Sequence, residues 1–485
     1  MRFNLNVIGN IIGILLMING MLMLTAIPFA FYHSEESWKG ILLSSLINSL
    51  VGFFLYYKTK NTKNKDLKRR DGYLIVTSSW VCMCLFGMLP YIFTNQIPNV
   101  SNAFFETVSG YTTTGATILD DIEALDYSIL YWRSLTQWIG GMGIIVLAVA
   151  ILPFLGIGGM QLFVAEAPVF SLDKLQPRIK ETAQRLWLIY ISFTILLFFI
   201  FWAEGMNLFE AINHAMTTFA TGGFSTKNAS IGYFESPLIQ YTVILFMFIS
   251  ATNFTLTYFA LKLDFGKLYR NEEFRIYFSF IIILTFMVFG TLMLIDSTYP
   301  EATFRDSLFN IVSIVTTTGF TTADFTGWTE FITILFFILM FFGASAGSTS
   351  GGIKIVRHVV LLKNSYIEIK KQLHQSGVFT LKFNNRKVPN EVVSNILAFT
   401  MLYVVIFSFG SIIMSLMGID FMTAIGSVAA TLGNVGPGIG EVGPSSTYNS
   451  MPEAGKWFLS LLMFIGRLEL FTFLMIITPI FWRSN

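Results

Sequence analysis

Four short segments of this 485-residue chain bring small, hydroxylated and glycine residues together in a pattern suited to holding a dehydrated cation. The first reads NAFFETVSGYTTTGAT from Asn102 to Thr117, and the second LFEAINHAMTTFATGGFST from Leu208 to Thr226. The third reads RDSLFNIVSIVTTTGFTT from Arg305 to Thr322, and the fourth DFMTAIGSVAATLGNVGPGIG from Asp420 to Gly440. Aligning Gly115, Gly222, Gly319 and Gly436 puts Glu106, Asn213, Asn310 and Ser427 nine positions upstream, with separations of 107, 97 and 117 residues. Glycine permits dihedrals that turn carbonyls inward and leaves room near an axis, and a ring of carbonyls can replace a cation's hydration shell. Thr114, Thr221 and Thr318 can add hydroxyl contacts or brace the loop, whereas Val435 stands in their place in the fourth copy. A helix leading into each loop would aim its partially negative C-terminal end at the ion.

Such loops need a scaffold that buries irregular backbone at membrane depth, and the composition supplies one. Hydrophobic residues make up 54% of the chain and charged residues 12%, which excludes a soluble globular protein. Basic and acidic residues number 31 and 29, so no bulk positive field points to nucleic acid. Ten apolar stretches are long enough to span a bilayer: 5 to 31, 37 to 57, 72 to 95, 128 to 155, 184 to 204, 236 to 262, 276 to 297, 329 to 362, 391 to 417 and 453 to 482. The first is longer than a signal-peptide core and reads as a retained helix. The loops 58–71, 171–185, 262–275 and 354–387, with Arg2 and Arg483, hold 25 of the 31 basic residues, which places them and both termini on the cytoplasmic side. Acids dominate the opposite loops (Glu35, Glu36, Asp120, Asp121, Glu123, Asp126, Glu235, Asp324, Glu330, Glu441, Glu453), either as a solvated rim or as a mouth that concentrates cations.

Each glycine segment lies between two spans. The expected fold is therefore an all-α polytopic membrane protein with four span–pore-loop–span repeats in pseudo-fourfold order around one pore, plus two extra N-terminal helices. The units are 1–71 (helix pair and basic loop), 72–183, 184–275, 276–390 with an interrupted helix, and 391–485. The eighth span is expected to break at Gly343 to Gly352, a run of small residues that cannot hold a stiff helix; close helix packing is the competing explanation. Arg467 lies near the middle of the last span, too deep to snorkel, and is a functional candidate by its depth alone. Glu469, two residues on, points away from it along a helix, so mutual neutralisation is not expected.

Other motifs carry less. Gly343, Ser345 and Gly347 fit G-x-S-x-G, but an apolar span is not the strand-to-helix elbow that motif needs; an intramembrane serine hydrolase using Ser345 with His358 or His374 is the remote alternative. Gly438, Gly440 and Gly443 fit G-x-G-x-x-G without a βαβ unit, and Pro444 follows directly. The histidines have no metal-ligand spacing; His214 reads as a packing or hydrogen-bonding residue. Cys82 and Cys84 read as helix-packing residues. The chain is not expected to be an enzyme, and the serious competitor is a carrier that couples ion flow to Na⁺ or H⁺.

The segments Thr112 to Thr117, Ala220 to Ser225, Thr316 to Phe320 and Asn434 to Gly438 resemble the four filter segments of the Trk/Ktr/HKT superfamily of potassium transporters. The extra N-terminal helices and GRLELFTF at Gly466 to Phe473 make the chain most similar to the membrane subunits of bacterial Trk systems. The resemblance implies K⁺ uptake across the bacterial cytoplasmic membrane, with K⁺ as substrate at Thr113, Thr114, Gly115, Ala220, Thr221, Gly222, Thr317, Thr318, Gly319, Asn434, Val435 and Gly436. Sodium-favouring plant relatives carry serine at the first filter glycine; retention of Gly115 favours K⁺. The departure at Val435 implies less strict selectivity, with Rb⁺ also passing. The resemblance further implies a gate at Ser345, Ala346, Gly347, Ser348, Thr349, Ser350, Gly351 and Gly352, with Arg467 beside the pore opposing a cation. Its implied partners are a second copy of the chain and a cytoplasmic TrkA-type ring protein, which alone binds nucleotide and to which Lys354–Lys387 would carry movement. No covalently bound cofactor is expected.

Overall fold

A pore segment too short to cross a bilayer holds its helix through its cap and its neighbours. In the computed structural model, which describes residues 3–60, 69–143 and 179–483, all four segments are such helices: Val100–Tyr111, Leu208–Phe219, Pro300–Val315 and Phe421–Leu432. The side chains of Asn99, Asn207 and Asp420 cap three of them by accepting the backbone N–H three residues on. Pro300 starts the third, where its missing N–H costs nothing.

Each pore helix is flanked by an outer and an inner helix. The outer helices are Arg69–Gly87, Ile179–Ala203, Glu272–Ile295 and Asn390–Leu416. The inner helices begin at Tyr127, Pro237, Glu330 and Glu453. Among the described residues, six helices are long and apolar enough to cross a membrane. Two spans expected to be continuous are each a pair of helices set at a sharp angle. Pro237–Ser250 meets Phe254–Leu261 at 111°, and Glu453–Arg467 meets Glu469–Ile477 at 120°. Apolar content located these spans, but it cannot register that the helix turns inside them. The eighth span breaks as expected: Glu330–Leu339 ends in a loop, and Ile355–Leu373 resumes beyond it. The fourth is helical from Tyr127 to Gly141; the remainder of that expected span from residue 144 lies outside the described residues, as do Arg2, Lys63, Lys65, Lys68, Lys174 and Arg178.

The extra pair, Leu5–Met23 and Trp38–Thr59, packs glycine to backbone. A Cβ at Gly13 would lie 2.7 Å from the Gly52 carbonyl oxygen, and one at Gly52 would lie 2.6 Å from that of Gly13. Such closeness lets Ser45 donate to the Gly20 carbonyl at 2.7 Å and Asn19 to Asn48 at 3.2 Å. The Tyr111 hydroxyl, from the end of the first pore helix, donates to Asn19 at 2.7 Å. The pair is thus a buttress for repeat 1. Cys82 and Cys84 are free thiols in the first outer helix, Cys84 fully covered. Arg70 bonds the Arg483 carbonyl and the Asn4 N–H bonds Asp71, so Asn4 and Arg483 meet the start of the first outer helix on one face.

Gly52→Ala is expected to force the N-terminal pair apart and cost about 1–3 kcal/mol. The check is the thermal unfolding midpoint in detergent, and an unchanged midpoint would contradict the close packing.

Candidate functional site

Where the pore helices stop, four stretches of backbone repeat one conformation. The helices are followed by Thr112, Ala220, Thr316 and Gly433. Next come Thr113, Thr221, Thr317 and Asn434, all left-handed with φ of 52°, 51°, 55° and 51°. The N–H groups of Thr114, Gly222, Thr318 and Val435 then reach back to the carbonyls of Ser109, Thr217, Ser313 and Ala430 at 2.8–2.9 Å. Gly115, Gly223, Gly319 and Gly436 follow at φ of 82°, 80°, 80° and 101°. Left-handed φ is costly for threonine; those back-bonds hold it.

This pattern corrects the second copy by one residue. Gly223, not Gly222, matches the other three glycines, and Gly222 takes the place of Thr114 and Thr318. The Thr-Gly pair that anchored the alignment is misleading beside a second glycine, because only the backbone angle distinguishes the two. His214 rather than Asn213 then falls nine positions upstream. Thr221 matches Thr113, so threonine precedes the second left-handed residue, the glycine, only in repeats 1 and 3.

The four segments close into a ring. A Cβ on Gly115, Gly223, Gly319 or Gly436 would come within 2.6 Å of the carbonyl oxygen of Gly222, Thr318, Val435 or Thr114 respectively. Each glycine therefore abuts the next repeat, and the fourth returns to the first. No side chain larger than hydrogen fits, and a circle of backbone oxygens results.

Behind the ring, polar groups fix the segments. Glu106 and Arg133 form a fully buried ion pair at 2.6 Å. Glu106 also accepts from Thr117 and the Ile118 N–H, and Arg133 donates to the Ser225 carbonyl while its guanidinium lies 3.6 Å from the centre of the Phe224 ring. His214 occupies the Glu106 position in repeat 2 and bonds Ser225 at 2.9 Å, a bracing role matching its expected one. The Gln137 carboxamide bonds Gly222 and Phe224, and Tyr448 donates to the Gly436 carbonyl at 2.9 Å. Sequence reasoning missed Gly223, Arg133, Gln137 and Tyr448. Arg133 had a signal, since it too is a charge inside an apolar span.

The small-residue run lies on the helix-end side of the ring. Gly351 donates its N–H to the Thr317 hydroxyl at 2.6 Å, and Thr221 donates to the Thr349 hydroxyl at 3.1 Å. Two left-handed threonines of the ring thus touch the loop. Three backbone bonds join it to the bend of the second inner helix. Ser345 N–H donates to the Ala251 carbonyl, Thr349 N–H to Ser250, and Phe254 N–H to Gly347. Ala346 N–H meets the Glu273 carboxylate at 2.7 Å, and Ser348 and Ser350 share a hydrogen bond. Gly352, at φ 64°, lets Phe342–Gly343 pair in parallel with Ile353–Lys354 and close the neck of the loop.

Arg467 is at the 120° bend rather than inside a continuous helix. Its guanidinium donates to the carbonyls of Thr349 at 2.8 Å and Gly140 at 2.7 Å, tying the loop to the first inner helix. Glu469 pairs instead with Arg357. Lys354 donates to Ser350 within the loop. The G-x-S-x-G run has no helix following Ser345, so it forms no nucleophile elbow. Among the described residues, no group of three or more His, Cys, Asp or Glu side chains could hold a metal ion. The acids of the opposite face are partly clasps: Asp120 bonds Thr447 and Asn449, Asp121 bonds Asn228, and Glu123 pairs with Lys227.

Residues 38–481, which hold every element of this ring and loop, match the TrkH family model, described as a cation transport protein. The chain belongs to the TrkH family. The Trk system potassium uptake protein TrkH of Escherichia coli (strain K12) is 39% identical over 484 residues, covering 98% of this chain and 99% of that protein. That of Vibrio parahaemolyticus is 41% identical over 483 residues, covering 98% of each. The crystal structure of the potassium transporter TrkH from Vibrio parahaemolyticus superposes with a TM-score of 0.89 at 38% identity, covering 99% of this chain and 100% of that one. These TrkH relatives are named as uptake proteins or transporters, not enzymes, and the pseudo-fourfold architecture is that of the TrkH fold.

In this TrkH-family chain, Arg133→Met leaves the buried Glu106 carboxylate without its counter-charge and is expected to cost about 3–5 kcal/mol. The Glu106→Gln/Arg133→Met double variant should recover part of that in thermal unfolding. Arg133→Met as stable as the parent would contradict the ion pair's role.

Proposed function

We propose that this chain takes up K⁺ across the bacterial cytoplasmic membrane through the ring, as a channel-like pore that also passes Rb⁺. The observation that carries the reading is closure. Four left-handed turns and four glycines, one set per repeat, abut the next repeat's carbonyls in an unbroken cycle. Fixed backbone oxygens at one spacing are what coordination of a dehydrated monovalent cation requires. The names of the TrkH relatives supply the substrate.

The loop from Ser345 to Gly352 is the gate and Arg467 its latch. The loop seals the inner side of the ring through Thr221 and Thr317, and Arg467 both holds Thr349 and adds positive charge beside the path. The segment 354–387 continues from that loop as a basic helix and a hairpin, Lys382–Phe383 with Arg386–Lys387. Glu272 clasps the hairpin to the start of the third outer helix by accepting from Lys363 and the Asn384 N–H. Such a lever suits a cytoplasmic TrkA-type ring protein, with nucleotide bound on that partner, both chain termini cytoplasmic and a homodimeric assembly. A conducting ring needs no bound co-ion, so this reading is preferred to a Na⁺- or H⁺-coupled symporter.

Uptake of radiolabelled Rb⁺ into proteoliposomes, competed by K⁺ or Na⁺, tests the reading. K⁺ should compete far better than Na⁺, without dependence on a Na⁺ or H⁺ gradient. Gly115→Ser places a side chain on the Gly222 carbonyl and is expected to lower the K⁺ preference by about tenfold, equivalent to ~1.4 kcal/mol. An unaltered ratio would count against the filter. Arg467→Gln and a shortened 345–352 loop should each raise flux, and folded variants with parental flux would remove the gate from the proposal.

A further inference from the structure

We propose that Gln137 is a positioning residue for ion selectivity, standing in for the threonine pair that the second filter segment lacks. This rests on reading the ring as a K⁺ filter. In repeats 1 and 3 the segment braces itself: the hydroxyls of Thr112 and Thr114 bond at 2.7 Å, and those of Thr316 and Thr318 at 2.8 Å. The corrected register puts Ala220 and Gly222 at those two positions in repeat 2, so neither hydroxyl exists there.

Gln137 fills the gap from another repeat. It sits on the first inner helix and is fully buried. Its Nε2 donates to the Gly222 carbonyl at 2.5 Å, and its Oε1 accepts the Phe224 N–H at 3.0 Å. Only one orientation of the amide serves both bonds, since one partner is an acceptor and the other a donor. The two bonds straddle Gly223. A Cβ at Gly222 would come within 2.9 Å of three Gln137 side-chain atoms, so the glutamine occupies the room a threonine there would need. The fourth segment, with Gly433 and Val435, shows a third solution: Asn434 donates to the Thr114 hydroxyl at 2.9 Å and to the Met463 carbonyl at 3.0 Å.

The oxygen that Gln137 holds is the one against which Gly115 packs, so its placement reaches the neighbouring filter glycine as well. An oxygen fixed at one spacing matches one ion radius. Released from its brace, it can close on a smaller ion, and Na⁺ is the ion that gains.

The test uses the full chain in proteoliposomes, with parental K⁺-over-Na⁺ competition for radiolabelled Rb⁺ measured in the same experiment. Gln137→Leu keeps the volume and loses both bonds; its ratio should fall about tenfold, the scale of one buried hydrogen bond. Gln137→Ala/Gly222→Thr, which restores a threonine in the vacated space, should regain part of it. Gln137→Glu keeps the donor only while its carboxyl is protonated, so its ratio should fall as pH rises while the parental ratio stays flat. A folded Gln137→Leu protein with the parental ratio, whatever its total uptake, overturns the proposal. If the leucine variant does not fold, Gln137→Met, which also loses both bonds, decides, and a folded methionine variant with the parental ratio overturns it. A parental protein without K⁺ preference overturns the filter reading and this one together.

Discussion

Four loops of one chain can surround an ion only if each accepts its neighbour at backbone contact, and that closure governs the rest of the molecule. A glycine abutting the next repeat's carbonyl leaves no slack. Any tilt of one repeat would open the ring or drive atoms into overlap. The buried Glu106–Arg133 pair, the Asn and Asp helix caps and the glycine-packed N-terminal helices all restrain the angle at which a pore helix arrives. The left-handed threonines are the strained element that these restraints support.

The bends of the inner helices follow from the same requirement. Turning at Ser250, Leu339 and Arg467 ends each helix there, leaving carbonyls for other groups to use. The loop takes those of Ser250 and Ala251, and Arg467 takes that of Gly140. The loop beneath the ring is therefore held by helix ends of several repeats, and its hydrogen bonds are distributed among them.

Much of this was legible in the sequence because membrane burial writes strong patterns. Apolar length gave the spans, the glycine segments gave the repeat, and Gly343–Gly352 marked the break where helix propensity collapses. What stayed hidden depended on angles and on partners distant in the chain. Gly222 and Gly223 are the same residue type, and only φ distinguishes them. The bends near Ser250 and Arg467 lie inside apolar runs that hydropathy reads as continuous. Gln137 meets its partners 85 and 87 residues away, beyond any local pattern.

A pore assembled from four identical chains changes in four places with every altered codon. Here each quadrant has its own codons, and the ring has diverged accordingly: threonine pairs in two quadrants, a borrowed glutamine in one and an asparagine in the other. The ring can therefore drift by single, one-sided steps that a symmetric assembly could take only fourfold. Because each glycine rests on the adjacent quadrant, a step in one alters which steps its neighbour will tolerate.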